Sequence, residues 1–175
     1  MLSNLADSTS DYRLKVAALR YLIQNAFDKD NNITILEYAK KLYVISKTEI
    51  DDENSFIAIK AVLHSLARMN QLEQLEKFIK EKTVRRIIPK QISLSYQSYI
   101  YLSQSKLEEL ITLYNGVKKS LVKPVASAII FNTAEAYFRL SNFDEAIALY
   151  DDFLKEYNHL SYCLLYTSPS PRDGL

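Results

Sequence analysis

The sequence predicts an all-α protein in which about four antiparallel helical hairpins stack on one another. Two observations lead to this fold class. A ten-residue pattern recurs at residues 34–43, 70–79, 105–114 and 141–150, and its starts are 36, 35 and 36 residues apart. A fixed period of this size indicates stacked helical repeats. Glycine is scarce, since Gly116 is the only glycine before residue 174, as expected of helices rather than of hairpin-rich sheets.

Each copy of the pattern predicts the start of a helix. The copies open with Thr34, Asn70, Ser105 and Ser141, and each carries an acidic residue three positions later. This is the spacing of a capping box, in which the first side chain accepts from an amide of the opening turn and the acid reaches back to the cap amide. Large apolar residues follow at three- and four-residue intervals, so each helix has an apolar stripe that must be buried.

A second helical segment precedes each copy of the pattern. The candidates are residues 12–27, 55–69, 92–103 and 125–140. Connections of a few residues make the two helices of a hairpin antiparallel, although a longer connection at 28–32 displaces the first upstream helix. The hairpins are expected at about 11–46, 54–82, 90–119 and 124–158, and they share one core because a single hairpin cannot cover its own apolar surface.

Three segments are expected to separate the hairpins. They are the acidic stretch 51–54, the segment 83–90 with Pro89, and the segment 115–124 with Gly116 and Pro124. Proline is tolerated in the first turn of a helix and disrupts a helix interior. Pro89 and Pro124 are therefore predicted to mark the starts of helices.

The last hairpin carries a specific pattern of small and aromatic residues. Residues 130–158 read IFNTAEAYFRLSNFDEAIALYDDFLKEYN, with small residues at Ala134 and Ala146 and aromatic residues at Tyr137 and Tyr150. This run resembles a tetratricopeptide repeat, and the three earlier units resemble it more loosely. The resemblance implies that residues 1–162 form a right-handed α-solenoid, and that its concave face binds a protein or peptide.

The resemblance also selects candidate partner-binding residues. Outward positions of the upstream helices form the concave face in this family. Transferring those positions to this chain selects Lys60, His64, Arg68, Tyr96, Tyr99, Phe131, Asn132, Glu135 and Arg139. Aromatic and arginine side chains contribute much of the binding energy of interfaces.

A second resemblance leaves single-stranded RNA open as a ligand. The period and the junction KKSLVKP at residues 118–124 are similar to pentatricopeptide repeats, which bind one base per hairpin. The chain has 22 basic and 21 acidic residues, and this balance argues against a dedicated nucleic-acid binder. Residues 77–90 are an exception, because they hold six basic residues against one acid. They are interpreted as a solvated helix end or as a patch for an acidic partner.

The C-terminal residues differ in composition from the rest. Residues 163–173 read CLLYTSPSPRD, which resembles a translated sequencing adapter. Residues 163–175 are therefore expected to be a non-native, unstructured tail that interrupts the natural sequence. The last helix, 143–157, presents Ile147, Leu149, Tyr150, Phe153 and Leu154, so a further hairpin is expected to follow it.

Catalysis, cofactors and metals are not predicted. The two histidines, His64 and His159, are not at ligand spacing, and no glycine-rich phosphate loop occurs. Asp151, Asp152 and Glu156 are interpreted as a solvated helix face. Without Cys163 the chain has no thiol, which excludes a disulfide framework. No apolar run is long enough to span a bilayer and no secretory signal is recognised, so a cytoplasmic protein without membrane insertion is predicted.

Together these features favour a non-catalytic interaction scaffold. It would hold a peptide or partner helix, within a larger complex, on the concave face of the array. RNA binding by a degenerate pentatricopeptide-like array is the alternative. A helical enzyme comes third, because it would need active-site residues from further sequence.

Overall fold

A computed structural model describes residue 6 and residues 8–122 and 127–157. The described residues are helical throughout, apart from short connections, and contain no strand. The predicted all-α class is confirmed at this level, with helices that pack in neighbouring pairs. The chain divides into two compact units, residues 1–88 and 89–175.

The described part of the first unit contains five helices. They are α1 (Tyr12–Asp28), α2 (Asn32–Thr48), α3 (Asp52–Arg68), α4 (Leu72–Ile79) and α5 (Lys82–Ile87). Helix α2 packs against both α1 and α3, and α3 packs against α4 and α5. The most deeply buried large side chains of this unit come from all of these helices, namely Leu19, Ile35, Leu42, Ile59, Val62, Leu63, Leu66, Leu75 and Val84.

The described part of the second unit contains four α-helices and a short 3-10 helix. They are α6 (Lys90–Ser103), α7 (Leu107–Val117), the 3-10 helix (Lys118–Ser120), α8 (Ser127–Arg139) and α9 (Phe143–Tyr157). Helix α8 packs against α6, α7 and α9. Its Ile129 and Ile130 are buried among apolar side chains of the neighbouring helices, which include Leu94, Leu113 and Leu149.

Five connections between consecutive helices share one construction. They are residues 29–31, 49–51, 69–71, 104–106 and 140–142, each three residues long. The middle residue has a positive φ, between 49° and 62°, in every case. The third residue donates its amide hydrogen to the carbonyl five residues earlier, as Gln71 does to Leu66 at 2.9 Å. These bonds are those of a Schellman motif, which satisfies the last carbonyls of a helix and turns the chain back.

This construction corrects the predicted capping boxes. Asn70, Ser105 and Ser141 are not helix N-caps, because they are the left-handed residues that end the preceding helices, with φ values of 53°, 56° and 62°. Thr34 lies inside α2, where its amide donates to Oδ1 of Asn31 at 3.1 Å, so that Asn31 is the N-cap. Three of the four predicted acids, Glu73, Glu108 and Asp144, do occupy first turns, where the helix dipole favours negative charge. The fourth, Glu37, lies beyond the first turn of α2.

The predicted separators between hairpins also differ from the structure. The acidic stretch 51–54 opens α3, with Asp51 as its N-cap, and the connection 49–51 is as short as the one within the first predicted hairpin. The segment 83–90 contains most of α5. Gly116 lies within the last turn of α7. Pro89 immediately precedes α6, as predicted.

Some predictions concern residues outside the described ranges. They are the helix start at Pro124, the solvated-face interpretation of the Glu156 side chain, and the tail at 163–175. The hairpin boundaries, the number of repeats and the right-handed winding stay predictions.

Candidate interaction surface

Helices α1 and α3 lie side by side in the first unit. Four side-chain contacts join them or their caps: Tyr12 Oη to Asp51 Oδ2 at 2.7 Å, Arg20 Nη1 to Asn54 Oδ1 at 3.4 Å, the Phe27 ring to the His64 ring at 5.2 Å between centroids, and Arg68 Nη2 to Asp30 Oδ2 at 3.7 Å. The contacts advance along both helices in the same direction. Two successive tight turns produce this parallel arrangement, because α2 runs antiparallel to both α1 and α3.

Asp51 links the beginnings of the two helices. Its Oδ1 accepts the backbone amide of Asn54 at 3.0 Å, and its Oδ2 accepts the Asn54 side-chain amide at 2.8 Å as well as the Tyr12 hydroxyl. The hydrogen bonds from Asn54, together with the one from Tyr12, hold the pKa of Asp51 below its usual range. Burial and the bond to Asp51 raise the pKa of Tyr12 to about 12. The pair is therefore a neutral hydroxyl donating to a carboxylate at neutral pH.

An open groove of about 630 Å³ lies beside this link. Its lining comes from α1 and from the first turn of α3, and consists of Tyr12, Arg13, Val16, Ala17, Arg20, Asp51 and Asn54. Arg13 and Arg20 are seven residues apart, so they lie on one side of α1 at a separation of roughly 10 Å. Arg20 has a carboxylate neighbour in Glu53, with Nη1 to Oε1 at 3.9 Å, whereas Arg13 is exposed.

Two apolar side chains lie beside the arginines on α1. Leu14 is 51% exposed and Tyr21 is 57% exposed, and they too are seven residues apart. Together with Ala17, which is also exposed, they give one helix face both basic and apolar character. We call Arg13, Leu14, Ala17, Arg20 and Tyr21 the α1 surface. Exposed large apolar side chains next to fixed charges are typical of surfaces that bind other proteins.

Of the three predicted residues of α3, His64 and Arg68 contact the end of α1 and the turn that follows it. Lys60 is exposed, with Nζ 5.5 Å from the centroid of the Phe56 ring. His64 is half-buried, and burial followed by the nearby Arg68 lowers its pKa, while Asp30 opposes the shift. Lys60 is therefore open to a partner, whereas His64 and Arg68 also bind the end of α1 and the turn that follows it.

The predicted residues of the second unit mostly contact its own helices. Phe131 packs against Tyr150 and Phe153 of α9, with centroids 5.6 and 5.3 Å apart. Glu135 accepts from Tyr150 Oη at 3.0 Å and from Arg139 Nε at 2.9 Å.

The three other predicted positions of the second unit are also at least half-buried or hydrogen-bonded within it. Asn132 Nδ2 donates to Ser98 Oγ of α6 at 2.9 Å. Tyr96 is only 8% exposed, so its expected outward position is wrong, because the side chain belongs to the interior. Tyr99 is half-buried.

The basic segment of the first unit is partly neutralised. Arg86 donates two hydrogen bonds of 2.7 Å to the carboxylate of Asp52, and Lys80 Nζ lies 2.6 Å from Glu76 Oε1. Lys82 and Arg85 are exposed. The charge available to a polyanion is therefore smaller than the sequence count indicates.

No family model, no curated protein and no solved structure matches this chain. Among residues 6, 8–122 and 127–157, no three His, Cys, Asp or Glu side chains stand together in a way that would hold a metal ion. In the same ranges no helix combines the length and apolar character needed to cross a bilayer.

Sequence reasoning missed the α1 surface. The resemblance selects positions on α3, α6 and α8, and the sequence predicts that a longer connection displaces the first upstream helix. The connection is three residues long, so α1 lies alongside α3. The available signal was the seven-residue spacing of Arg13 and Arg20 and of Leu14 and Tyr21, which places each pair on one helix face.

Proposed function

We propose that this protein is a non-catalytic interaction scaffold of the tetratricopeptide type, which binds a peptide or partner helix. The α1 surface and the adjoining groove carry the proposal. The groove is open and lined by two arginines, and the exposed apolar side chains of Leu14 and Tyr21 follow those arginines on the same helix. Lys60 and Arg68 on α3 are also exposed.

The chemistry of this surface defines the partner. Arg13 and Arg20 favour carboxylates, because guanidinium groups form paired hydrogen bonds with them. Leu14 and Tyr21 favour an apolar side chain that removes them from water. A segment with acidic residues next to an apolar stripe meets both requirements, and a helix supplies that arrangement most simply.

The repeated turns support the solenoid part of the proposal. Five of the connections between neighbouring helices use the same three-residue Schellman construction. Each of them places the next helix antiparallel to the one before it. A stack of about four such hairpins with right-handed winding is the architecture we propose for the repeat region, and it would leave one face for a partner.

RNA binding is the competing proposal. Its support is the exposed pair Lys82 and Arg85 on α5. The ion pairs of Arg86 and Lys80 reduce the free positive charge on the same segment. Phosphate binding depends on such charge, so we favour the protein partner.

Affinity purification of the tagged full chain from its source cells, with and without ribonuclease, tests the proposed function. We expect a protein partner that resists ribonuclease and is lost in the Arg13→Glu/Arg20→Glu variant. The Lys29→Glu/Lys40→Glu variant is the matched control, because it changes the net charge equally at exposed residues outside the α1 surface. Recovery of RNA alone, or equal loss in both variants, would contradict the proposal.

A further inference from the structure

Helix α9 has an exposed apolar stripe. Phe143, Ile147 and Leu154 are 52%, 58% and 55% exposed, although all three are large apolar residues. Their spacings of four and seven residues place them on one side of the helix over about 16 Å. The adjoining side is used within the unit, since Ala146 is buried and Tyr150 and Phe153 pack against Phe131 of α8.

The stripe continues onto the end of α8. Phe138 is 51% exposed, and its ring lies 5.7 Å from that of Phe143 in an edge-to-face arrangement. Four half-exposed side chains of this size present roughly 400 Å² of apolar surface, which is the size of the largest patch on a typical monomer. Such a patch on a folded unit indicates an interaction surface.

Acidic side chains flank the stripe. Asp144 and Asp151 are exposed and seven residues apart, and both fall next to Ile147 and Leu154 around the helix. Lys155 lies on the same flank. The whole helix carries five acidic residues against this one lysine. We call Phe143, Asp144, Ile147, Asp151 and Leu154 the α9 surface.

The α1 and α9 surfaces are complementary in charge and spacing. On α1, Arg13 and Arg20 are seven residues apart and flank Leu14 and Tyr21, which have the same spacing. On α9, Asp144 and Asp151 are seven residues apart and flank Ile147 and Leu154, again with this spacing. Both arginines can therefore meet both aspartates while the apolar pairs contact each other, because each pair spans roughly 10 Å.

We propose that the α9 surface of one copy of this chain binds the α1 surface of a second copy. The inference rests on the proposed function, since it assigns a partner to the same α1 surface. The two surfaces are different, so the contact is head to tail. In a pair of copies, one copy keeps its α1 surface free and the other keeps its α9 surface free. Association of this type continues into a ring or an open chain of copies.

Charge argues against three other occupants of the α9 surface. Two α9 surfaces facing each other would bring aspartates together, and like charges across an interface disfavour binding. The acidic flank likewise disfavours RNA and anionic lipid. Helix α1 carries three basic residues and one acid beside its exposed apolar pair, so this chain itself contains a helix of the required chemistry.

Charge reversal tests the contact directly. Sedimentation velocity on the full chain at rising concentration is expected to show self-association that weakens with added salt. Arg13→Glu/Arg20→Glu leaves both surfaces acidic, and Asp144→Lys/Asp151→Lys makes the α9 surface basic while α1 stays basic. Each variant alone is expected to associate at least tenfold more weakly than the wild type, which corresponds to about 1.4 kcal/mol. An equimolar mixture of the two is expected to associate again, as is the chain that carries all four substitutions.

The apolar part of the contact has its own control. Ile147→Glu/Leu154→Glu is expected to abolish association, whereas Val44→Glu, at an α2 side chain that is 61% exposed, is expected to leave it intact. A chain that stays monomeric at every concentration overturns the proposal. So does a mixture of the charge-reversed variants that fails to associate, or association that persists in both variants alone.

The two proposals fail separately. The Ile147→Glu/Leu154→Glu variant removes the α9 surface and leaves α1 unchanged. If that variant still recovers a different protein through Arg13 and Arg20, the scaffold function holds without self-association. If self-association is found and no other protein binds, the second copy is the only partner supported.

Discussion

Tyr12 donates its hydroxyl to Oδ2 of Asp51 across 39 residues of sequence, at 2.7 Å. The same carboxylate caps α3 through the Asn54 amide, so one side chain fixes the start of α3 relative to the start of α1. Both residues line the groove beside the α1 surface. The contact therefore connects the local chemistry of a helix cap with the shape of the candidate binding surface.

Replacing Tyr12 by Phe is expected to lower the free energy of unfolding by about 1 kcal/mol, because it removes one hydrogen bond to a charged group. Chemical denaturation measures this loss. The dependence of the free energy of unfolding on denaturant concentration is expected to stay unchanged. The pKa of Asp51, followed by NMR, is expected to rise toward its usual range, since the Tyr12 hydroxyl is one of the groups that lower it. Tyr21→Phe is the control, because that side chain is exposed. Equal losses from both variants would show that the hydrogen bond contributes nothing.

Ile50 occupies an unfavourable backbone conformation. Its φ is 55°, and a β-branched side chain is strained in the left-handed region. The side chain is 80% exposed, so replacing it removes little packing. Ile50→Gly is expected to raise the free energy of unfolding by about 1 kcal/mol.

Val44→Gly is the matched control for Ile50→Gly. It removes a similar exposed side chain from the interior of α2, where glycine is destabilising by about 1 kcal/mol. Thermal denaturation of both variants is expected to give shifts of opposite sign. Destabilisation by both would contradict the strain at Ile50.

His64 is expected to make stability depend on pH. Its pKa is lower in the folded protein than its ordinary value because of burial against Phe27 and the nearby Arg68, with Asp30 acting the other way. The unfolded chain therefore binds a proton more readily, so the free energy of unfolding falls as the pH drops below about 6.5. Urea denaturation between neutral and mildly acidic pH measures this slope. His64→Leu is expected to reduce the dependence of the free energy of unfolding on pH. If that dependence is unchanged in the variant, groups other than His64 cause it.

Two buried serines form an asymmetric pair between α2 and α3. Ser55 Oγ donates to Ser46 Oγ at 2.9 Å, and Ser46 Oγ donates to the Tyr43 carbonyl at 3.3 Å. Ser46→Ala leaves the Ser55 hydroxyl without this acceptor, so it is expected to cost about 1–3 kcal/mol. Ser55→Ala is expected to cost less, because Ser46 keeps its bond to Tyr43. Denaturation of both single variants and the double variant should show that the double change costs less than the sum; strict additivity would contradict the coupling.

The predictable part of the fold is its local part. The upstream segment 12–27 and the last helix 143–157 were placed within a residue of α1 and α9, because helical periodicity is a property of neighbouring residues. The caps were wrong at Asn70, Ser105 and Ser141. Small polar residues suit both an N-cap and a left-handed C-terminal position, and only the backbone distinguishes them.

The candidate surface depended on information that the sequence pattern does not contain. Arg20 meets Asn54 and Glu53 only because two tight turns bring α1 beside α3. Phe131 and Glu135 were predicted to face a partner, but they lie against α9, because outward and inter-helix positions have the same helical spacing. The predicted stripe on α9 is confirmed only in part. Ile147 and Leu154 are exposed, whereas Leu149, Tyr150 and Phe153 pack against α8.

Site-specific photocrosslinking tests whether the α1 surface binds a protein. A benzophenone amino acid replaces Ala17, which lies in the middle of the α1 surface. The chain also carries Ile147→Glu/Leu154→Glu, which removes the α9 surface. In the control, the benzophenone amino acid replaces Ile33 of α2, which is 74% exposed. Irradiation in cells is expected to give a product at position 17 that is sensitive to protease, resistant to ribonuclease, and lost with Arg13→Glu/Arg20→Glu. A product made of RNA, or equal crosslinking at positions 17 and 33, would contradict a protein-binding α1 surface.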